Sequence, residues 1–165
     1  MKIALLSDTH GHIDDRIKRH VDGCDEVWHA GDIGDLSVTD ALSELTQVRA
    51  VYGNIDDQSI RQTWSEHQRF RAEGLDIWMT HIGGRPPKYS RGILPQLQTE
   101  RPDVFVCGHS HILLVQRVQS WGGLHLNPGA AGNSGFHKVC TMLKFQITSG
   151  QIHNLRAIEW PRKQS

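Results

Sequence analysis

Neither sign of charge dominates this chain: 18 Lys and Arg stand against 18 Asp and Glu over 165 residues. No global field therefore draws in nucleic acid or an anionic membrane, although a local basic patch remains open. Long apolar runs are missing as well. The run Ile3-Ala4-Leu5-Leu6 is broken at Ser7-Asp8 and is far too short for a signal peptide or a membrane span, so a cytoplasmic protein with no membrane partner is expected. Cysteines are few: Cys24, Cys107 and Cys140 are widely spaced, odd in number and form no CxxC pair. That removes a zinc knot or a redox motif and leaves buried free thiols. Repeats, low-complexity tracts and charge blocks are absent too, and the length suits one domain, residues 1–160, followed by a disordered tail, Pro161 to Ser165. Histidine, by contrast, is plentiful. Eleven are present, several beside Asp and Gly in short clusters, a composition that points to metal binding.

Apolar patterning places those clusters. β-like runs at Lys2 to Leu6, Glu26 to Ala30 and Val48 to Tyr52 alternate with helical patterns at Ile13 to His20 and Val38 to Leu45, a βαβαβ signature. Leu75 to Thr80 reads as a strand, Gly92 to Thr99 as a helix and Val104 to Cys107 as a short strand. Beyond it, Leu113 to Gln119, Gly123 to Leu126, Val139 to Ile147 and Gln151 to Ile158 read as strands joined by turns. The pattern predicts an α/β fold, a four-layer α/β/β/α sandwich of two packed mixed sheets. The first would be parallel and helix-covered, the second more antiparallel.

Asp8 and His10 follow the first strand, Asp32 the second, Asn54 the third, His81 the next, and His109 with His111 the one after. In open α/β sheets ligands bind beyond the carboxyl ends of the strands, so these residues should face one crevice. Carboxylate, amide and imidazole donors together suit borderline divalent ions, and seven of them exceed what one tetrahedral ion needs. Two neighbouring ions about 3.5–4 Å apart fit better, with Asp32 as the bridge because a carboxylate has two oxygens to offer. Manganese is the first expectation, with nickel, iron, cobalt or zinc as alternatives. Glycines before Asp32, Asn54 and His109 allow the tight turns that aim the donors.

The blocks Asp8-Thr9-His10, Gly31-Asp32, Gly53-Asn54-Ile55-Asp56, His81 and Gly108-His109-Ser110-His111 resemble the motif set of the calcineurin-like metallophosphoesterase superfamily. The short length, Asp8-Thr9-His10-Gly11 and Asn127-Pro128-Gly129 are similar to its small YfcE-like phosphodiesterase group. The resemblance implies a phosphodiesterase in which a metal-bridging hydroxide attacks phosphorus in line. One metal would be held by Asp8, His10, Asp32 and His111, the other by Asp32, Asn54, His81 and His109. Asp32, Asn54 and His109 would also serve catalysis directly. A phosphomonoesterase is the alternative, as is a non-catalytic protein-binding scaffold, since a retromer subunit shares this fold.

Two departures stand out. Ile55 occupies a position where many members carry a histidine that protonates the leaving oxygen, which leaves the general acid open. His12, two residues past His10, is the substitute expected for it, against a plain helix-start role. After His81 the chain runs Ile82-Gly83-Gly84-Arg85-Pro86-Pro87-Lys88, where the glycines suggest mobility and Arg85 or Lys88 suggests a contact to substrate phosphate. His29 reads as a packed side chain or a partner that supports the ligands rather than an eighth ligand, and the five tryptophans read as packing residues. The expected partner is a small-molecule phosphate ester rather than nucleic acid, and a homo-oligomer is compatible with a domain of this size.

Overall fold

Side-chain alternation along the strands builds the layers. The computed structural model describes residues 1–163. Its elements are β1 (Lys2–Leu6), α1 (Asp15–Val21), β2 (Glu26–His29), α2 (Leu36–Ser43), β3 (Gln47–Ala50), α3 (Gln58–Thr63), β4 (His67–Ala72) and β5 (Leu75–Thr80). They continue with β6 (Gly84–Arg85), β7 (Lys88–Tyr89), α4 (Ile93–Glu100), β8 (Val104–Val106), β9 (Leu113–Arg117), β10 (Leu124–Pro128), β11 (Val139–Thr148) and β12 (Gln151–Pro161). In β1, Ile3 and Leu5 point to one core while Ala4 and Leu6 point to another; in β8, Val104 and Val106 part from Phe105 in the same way. A strand's period of two thus feeds two cores at once. The central core packs sheet on sheet, with Trp28, Ile77, Met79, Leu126 and Phe145 joining Ile3 and Leu5. α1 and α2 cover the outer face of the first sheet through Ile17, Val21, Val38 and Leu42, and α4 covers that of the second through Ile93 and Leu97.

The order is β12-β11-β1-β2-β3 in the first sheet and β4-β5-β8-β10-β9 in the second. β1–β2, β2–β3, β5–β8 and β8–β10 pair in parallel, while β1–β11, β11–β12, β4–β5 and β9–β10 are antiparallel. The four-layer sandwich of mixed sheets is therefore present, but the division into a parallel first and an antiparallel second half is corrected: β11 and β12 return to the first sheet. β11 buries Cys140 and Met142 under the helices and Leu143, Phe145 and Ile147 between the sheets, so it needs an interior place beside β1. β12 is largely exposed, with Trp160 as its buried residue, and sits at the edge.

The helix starts are local chemistry. Asp14 caps α1 by accepting from the Arg16 and Ile17 N–H groups at 3.0 Å each, and Asp35 caps α2 from Ser37 N at 2.8 Å. The expected disordered tail begins too early: Pro161 ends β12 opposite Val139, and the Arg162 guanidinium donates to the carbonyls of Asn133 and Gly135. Gln164 and Ser165, also assigned to that tail, lie outside the described residues. Among the described residues no helix is long and apolar enough to cross a membrane.

Two buried histidines make stability depend on acid. Burial pushes the imidazole pKa of His29 and of His125 down to about 4 from 6.5, so each stays neutral in the fold while the unfolded chain would take up a proton. Their contribution is complete above the unfolded pKa and is lost as pH falls from there toward the folded value. Within that window each lowers stability by about 1.4 kcal/mol per pH unit. Denaturant titrations from about pH 7 to about pH 4 should show His125→Phe with a pH slope shallower than the parent's by about one proton.

Candidate metal centre

The expected ligands converge at the carboxyl ends of β1, β2, β3, β5 and β8, in a crevice shared by the two sheets. One ligand atom each from Asp8, His10 and His111 lie within 4.8 Å of one another, and the same holds for Asp32, His81 and His109. The sets touch. Asp32 Oδ2 is 3.6 Å from His10 Nε2, Asp32 Oδ1 is 3.1 Å from His81 Nε2, and Asp8 Oδ1 is 3.2 Å from His111 Nε2. Asn54 follows β3 and lines the cleft together with His81.

The backbone is bent to achieve this. Asp8, His10, Asp32, His109 and His111 have φ of 55°, 48°, 53°, 69° and 58°, left-handed values that side-chain-bearing residues adopt at a cost of about 1–3 kcal/mol each. Gly31 adds φ +97°, and a methyl group there would fall 2.5 Å from His81 Nδ1, so only glycine fits.

Three of these polar atoms, Asp8 Oδ1, His10 Nε2 and His81 Nε2, are buried with no hydrogen-bond partner among the described residues. His81 Nε2 and Asp32 Oδ1 are close but not aligned for a hydrogen bond. Leaving such groups unpaired is costly, and a divalent ion is the partner that a carboxylate oxygen and two imidazole nitrogens have in common. The donor set therefore fits metal. Burial works against a charged His81, but the Asp32 and Asp8 carboxylates outweigh it and raise its pKa. Burial likewise works against the Asp32 anion and is outweighed by His81 and the Ile55 N–H, which lower its pKa.

Neighbouring groups aim each donor. His81 Nδ1 donates to Ala30 O at 2.7 Å, which turns Nε2 toward the crevice. His111 Nδ1 faces His137 Nδ1 at 3.2 Å, and His137 Nε2 lies 2.8 Å from Gly132 O. Only one tautomer assignment satisfies both contacts: His137 donates from Nε2 and accepts from His111, which leaves the His111 Nε2 lone pair free. Asp8 Oδ2 accepts from His109 N at 3.1 Å and joins the two sheets. Asp56 takes N–H groups from Gly34 at 2.7 Å, Gly53 at 2.7 Å and Ile33 at 3.1 Å, locking the Asp32 turn to the Asn54 turn. Asn127 Nδ2 donates to Gly108 O at 2.9 Å and steadies the His109–His111 loop. His29, expected as a packed side chain or a partner of the ligands, accepts from Gly31 N through Nδ1 at 3.2 Å and meets Thr9 Oγ1 at 2.8 Å through Nε2.

Other sequence-derived candidates lie elsewhere. His12 is not drawn into either cluster: its Nε2 is 3.4 Å from Asp14 Oδ2 and 3.3 Å from Asn133 Nδ2, which ties it to the start of α1. Arg85 and Lys88 pair across the β6–β7 hairpin and do not line the cleft beside His81. Nor do the glycines there supply a loose loop, because Gly83 packs against Phe105 and Cys107 and admits no side chain. The cationic residues that do line that cleft, of about 610 Å³, are Arg61 and Arg91. Neither these nor His137, 26 positions from the His111 it meets, carried a sequence signal.

Carboxylates and imidazoles gathered at the strand ends of a double sheet form a candidate metal centre. Residues 1–150 match the calcineurin-like phosphoesterase superfamily domain, and the chain belongs to that family of metallophosphoesterases. A probable metallophosphoesterase of Mycoplasma pneumoniae is 28% identical over 171 residues, spanning 98% of each chain. In structure the chain is similar to an archaeal phosphodiesterase, with TM-score 0.73, 20% identity and coverage of 97% and 100%. It is also similar to zinc-complexed Vps29 of Entamoeba histolytica, with TM-score 0.77, 18% identity and coverage of 99% and 100%. At these identities the structural likeness establishes the fold.

Removing the groups that aim the donors should weaken metal binding. Asp56→Ala is expected to lower affinity roughly 10–100-fold and, by orphaning three N–H groups, to cost roughly 3 kcal/mol or more. His137→Ala should give the same order of affinity loss. Isothermal titration with Mn, and unfolding measured under chelator, separate the two effects.

Proposed function

We propose that this protein is a phosphodiesterase working with two divalent ions. The observation that carries this reading is the set of buried, unpartnered donor atoms of Asp8, His10 and His81, held beside Asp32 by strained turns. Asp8, His10 and His111 would hold one ion and Asn54, His81 and His109 the other, with Asp32 offering one oxygen to each set. When bound, such a pair supplies a water acidified to near neutral pH and positive charge for the phosphoryl oxygens. The chain's own residues do the positioning. Asp8, buried and anchored by His109 N, keeps one oxygen turned inward, and the His137–His111 contact keeps His111 in its lone-pair-inward tautomer.

In the reaction one water is consumed: a P–O bond forms to its oxygen, the P–O bond to the leaving alcohol breaks, the alcohol departs with a proton, and a monoester remains. Because His12 pairs with Asp14, its expected part as proton donor has no support in the geometry. The preference for diesters draws support from the archaeal phosphodiesterase of the same fold. The likeness to zinc-complexed Vps29 is compatible with a second reading, a non-catalytic protein-binding scaffold of the same fold.

The test strips the protein of metal, restores Mn, Ni, Zn or Mg in turn, and assays bis-nitrophenyl phosphate beside nitrophenyl phosphate. Metal-dependent turnover with faster cleavage of the diester is expected, lost by about a thousandfold or more in Asp32→Ala and His81→Ala. An occupied centre without turnover on either ester favours the second reading.

A further inference from the structure

The cleft of about 610 Å³ beside Asn54 and His81 lies within the size range of small-molecule sites, about 300–1,000 Å³. Its walls are chemically distinct. Tyr52 OH donates to Glu66 Oε2 at 3.1 Å, and the other oxygen of this cleft-lining carboxylate lies 4.0 Å from His67 Nε2. Arg61 is a structural part of the wall. Its guanidinium lies 4.5 Å from the Tyr52 ring centroid and donates to the carbonyls of Asp56 at 2.6 Å and of Gly53 and Asn54 at 3.3 Å. Arg91 also lines the cleft, with no side-chain hydrogen bond or ion pair among the described residues. Ile82, 43% exposed, adds an apolar surface next to His81.

Resting on the diesterase reading above, we infer that this cleft receives the organic group retained on phosphorus, and that it is built for an uncharged, ring-bearing, donor-rich group of nucleoside type. A carboxylate at the wall repels a second phosphate and accepts from a hydroxyl or an amine. Arg91 offers a planar donor fork to a phosphoryl or carbonyl oxygen. Tyr52, His67 and Ile82 give a flat ring surfaces to lie against. A simple alkyl ester would leave Glu66 and Arg91 unmatched and gain little from the cleft.

The experiment compares thymidine nitrophenyl phosphate with methyl nitrophenyl phosphate on the Mn-loaded protein; the two share a leaving group and differ only in the retained one. The parent protein should favour the thymidine ester in kcat/KM by about tenfold or more, the value of one or two charge-assisted hydrogen bonds. That ratio should collapse toward unity in Glu66→Ala, fall in Arg91→Ala, and be largely restored in Glu66→Gln, which keeps an acceptor. Equal kcat/KM for both esters in the parent, or a preference that survives both alanine variants, overturns the subsite and leaves the diesterase reading standing. Absence of turnover on either ester overturns that reading and the subsite with it.

Discussion

The architecture turns on one buried carboxylate. Asp8 stands at the end of β1 in the first sheet, and its Oδ2 accepts from the backbone N–H of His109, which follows β8 in the second. Its other oxygen is buried and unpaired among the described residues. A carboxylate so placed suits a cation, and the imidazoles that surround it come from both sheets. The sheet-on-sheet core of Leu5, Trp28, Met79, Val106 and Phe145 is what brings the two sets of strand ends within reach of each other. The hydrophobic layer and the polar crevice are therefore one construction: an apolar middle fixes the distance at which the polar edge operates.

Such a site works against the fold's own stability. Five donor residues are in left-handed backbone, and polar atoms stand unpaired inside the protein. What maintains them is a surrounding set of hydrogen bonds that join loop to loop: Asp56 between the Asp32 and Asn54 turns, Asn127 on the His109–His111 loop, and His29 with Thr9 between the first two strand ends. Strain persists only where neighbouring structure over-determines it, and these contacts make the donors rigid before any ion arrives. Preorganisation of this kind keeps the donors from relaxing onto one another, which a looser site with two carboxylates and four imidazoles would do.

Much of the fold could be read along the chain because its strands are strongly patterned. β1, β5 and β8 are short, largely apolar runs, as strands covered on both faces should be, and β2 buries all four of its residues although only Val27 and Trp28 are apolar. β4 escaped notice because only Phe70 and Ala72 of its six residues are large-apolar or buried, while Arg69 and Arg71 face outward. α3 is one and a half turns long with a single buried residue, Ile60, too little for a period to appear. The β6–β7 segment read as a loop with mobile glycines and stiff prolines because the tight packing of Gly83 on Phe105 and Cys107 is a long-range fact. β11 and β12 carried strand character plainly, yet nothing local distinguishes joining the first sheet from joining the second.

Donor chemistry was set by the sequence alone: which carboxylates, amide and imidazoles exist, and that each follows a strand with a glycine or a small residue to turn it inward. Those are properties of short segments, and short segments show them. Tertiary structure alone decided which donors lie within reach of one another, that His12 belongs to Asp14, and that Glu66 and Arg91 rather than Arg85 and Lys88 border the cleft. These depend on distances between residues separated by up to a hundred positions in the chain, such as Asp8 and His109. Distances of that kind come from how two sheets pack, a cooperative outcome of the whole core that no local pattern encodes.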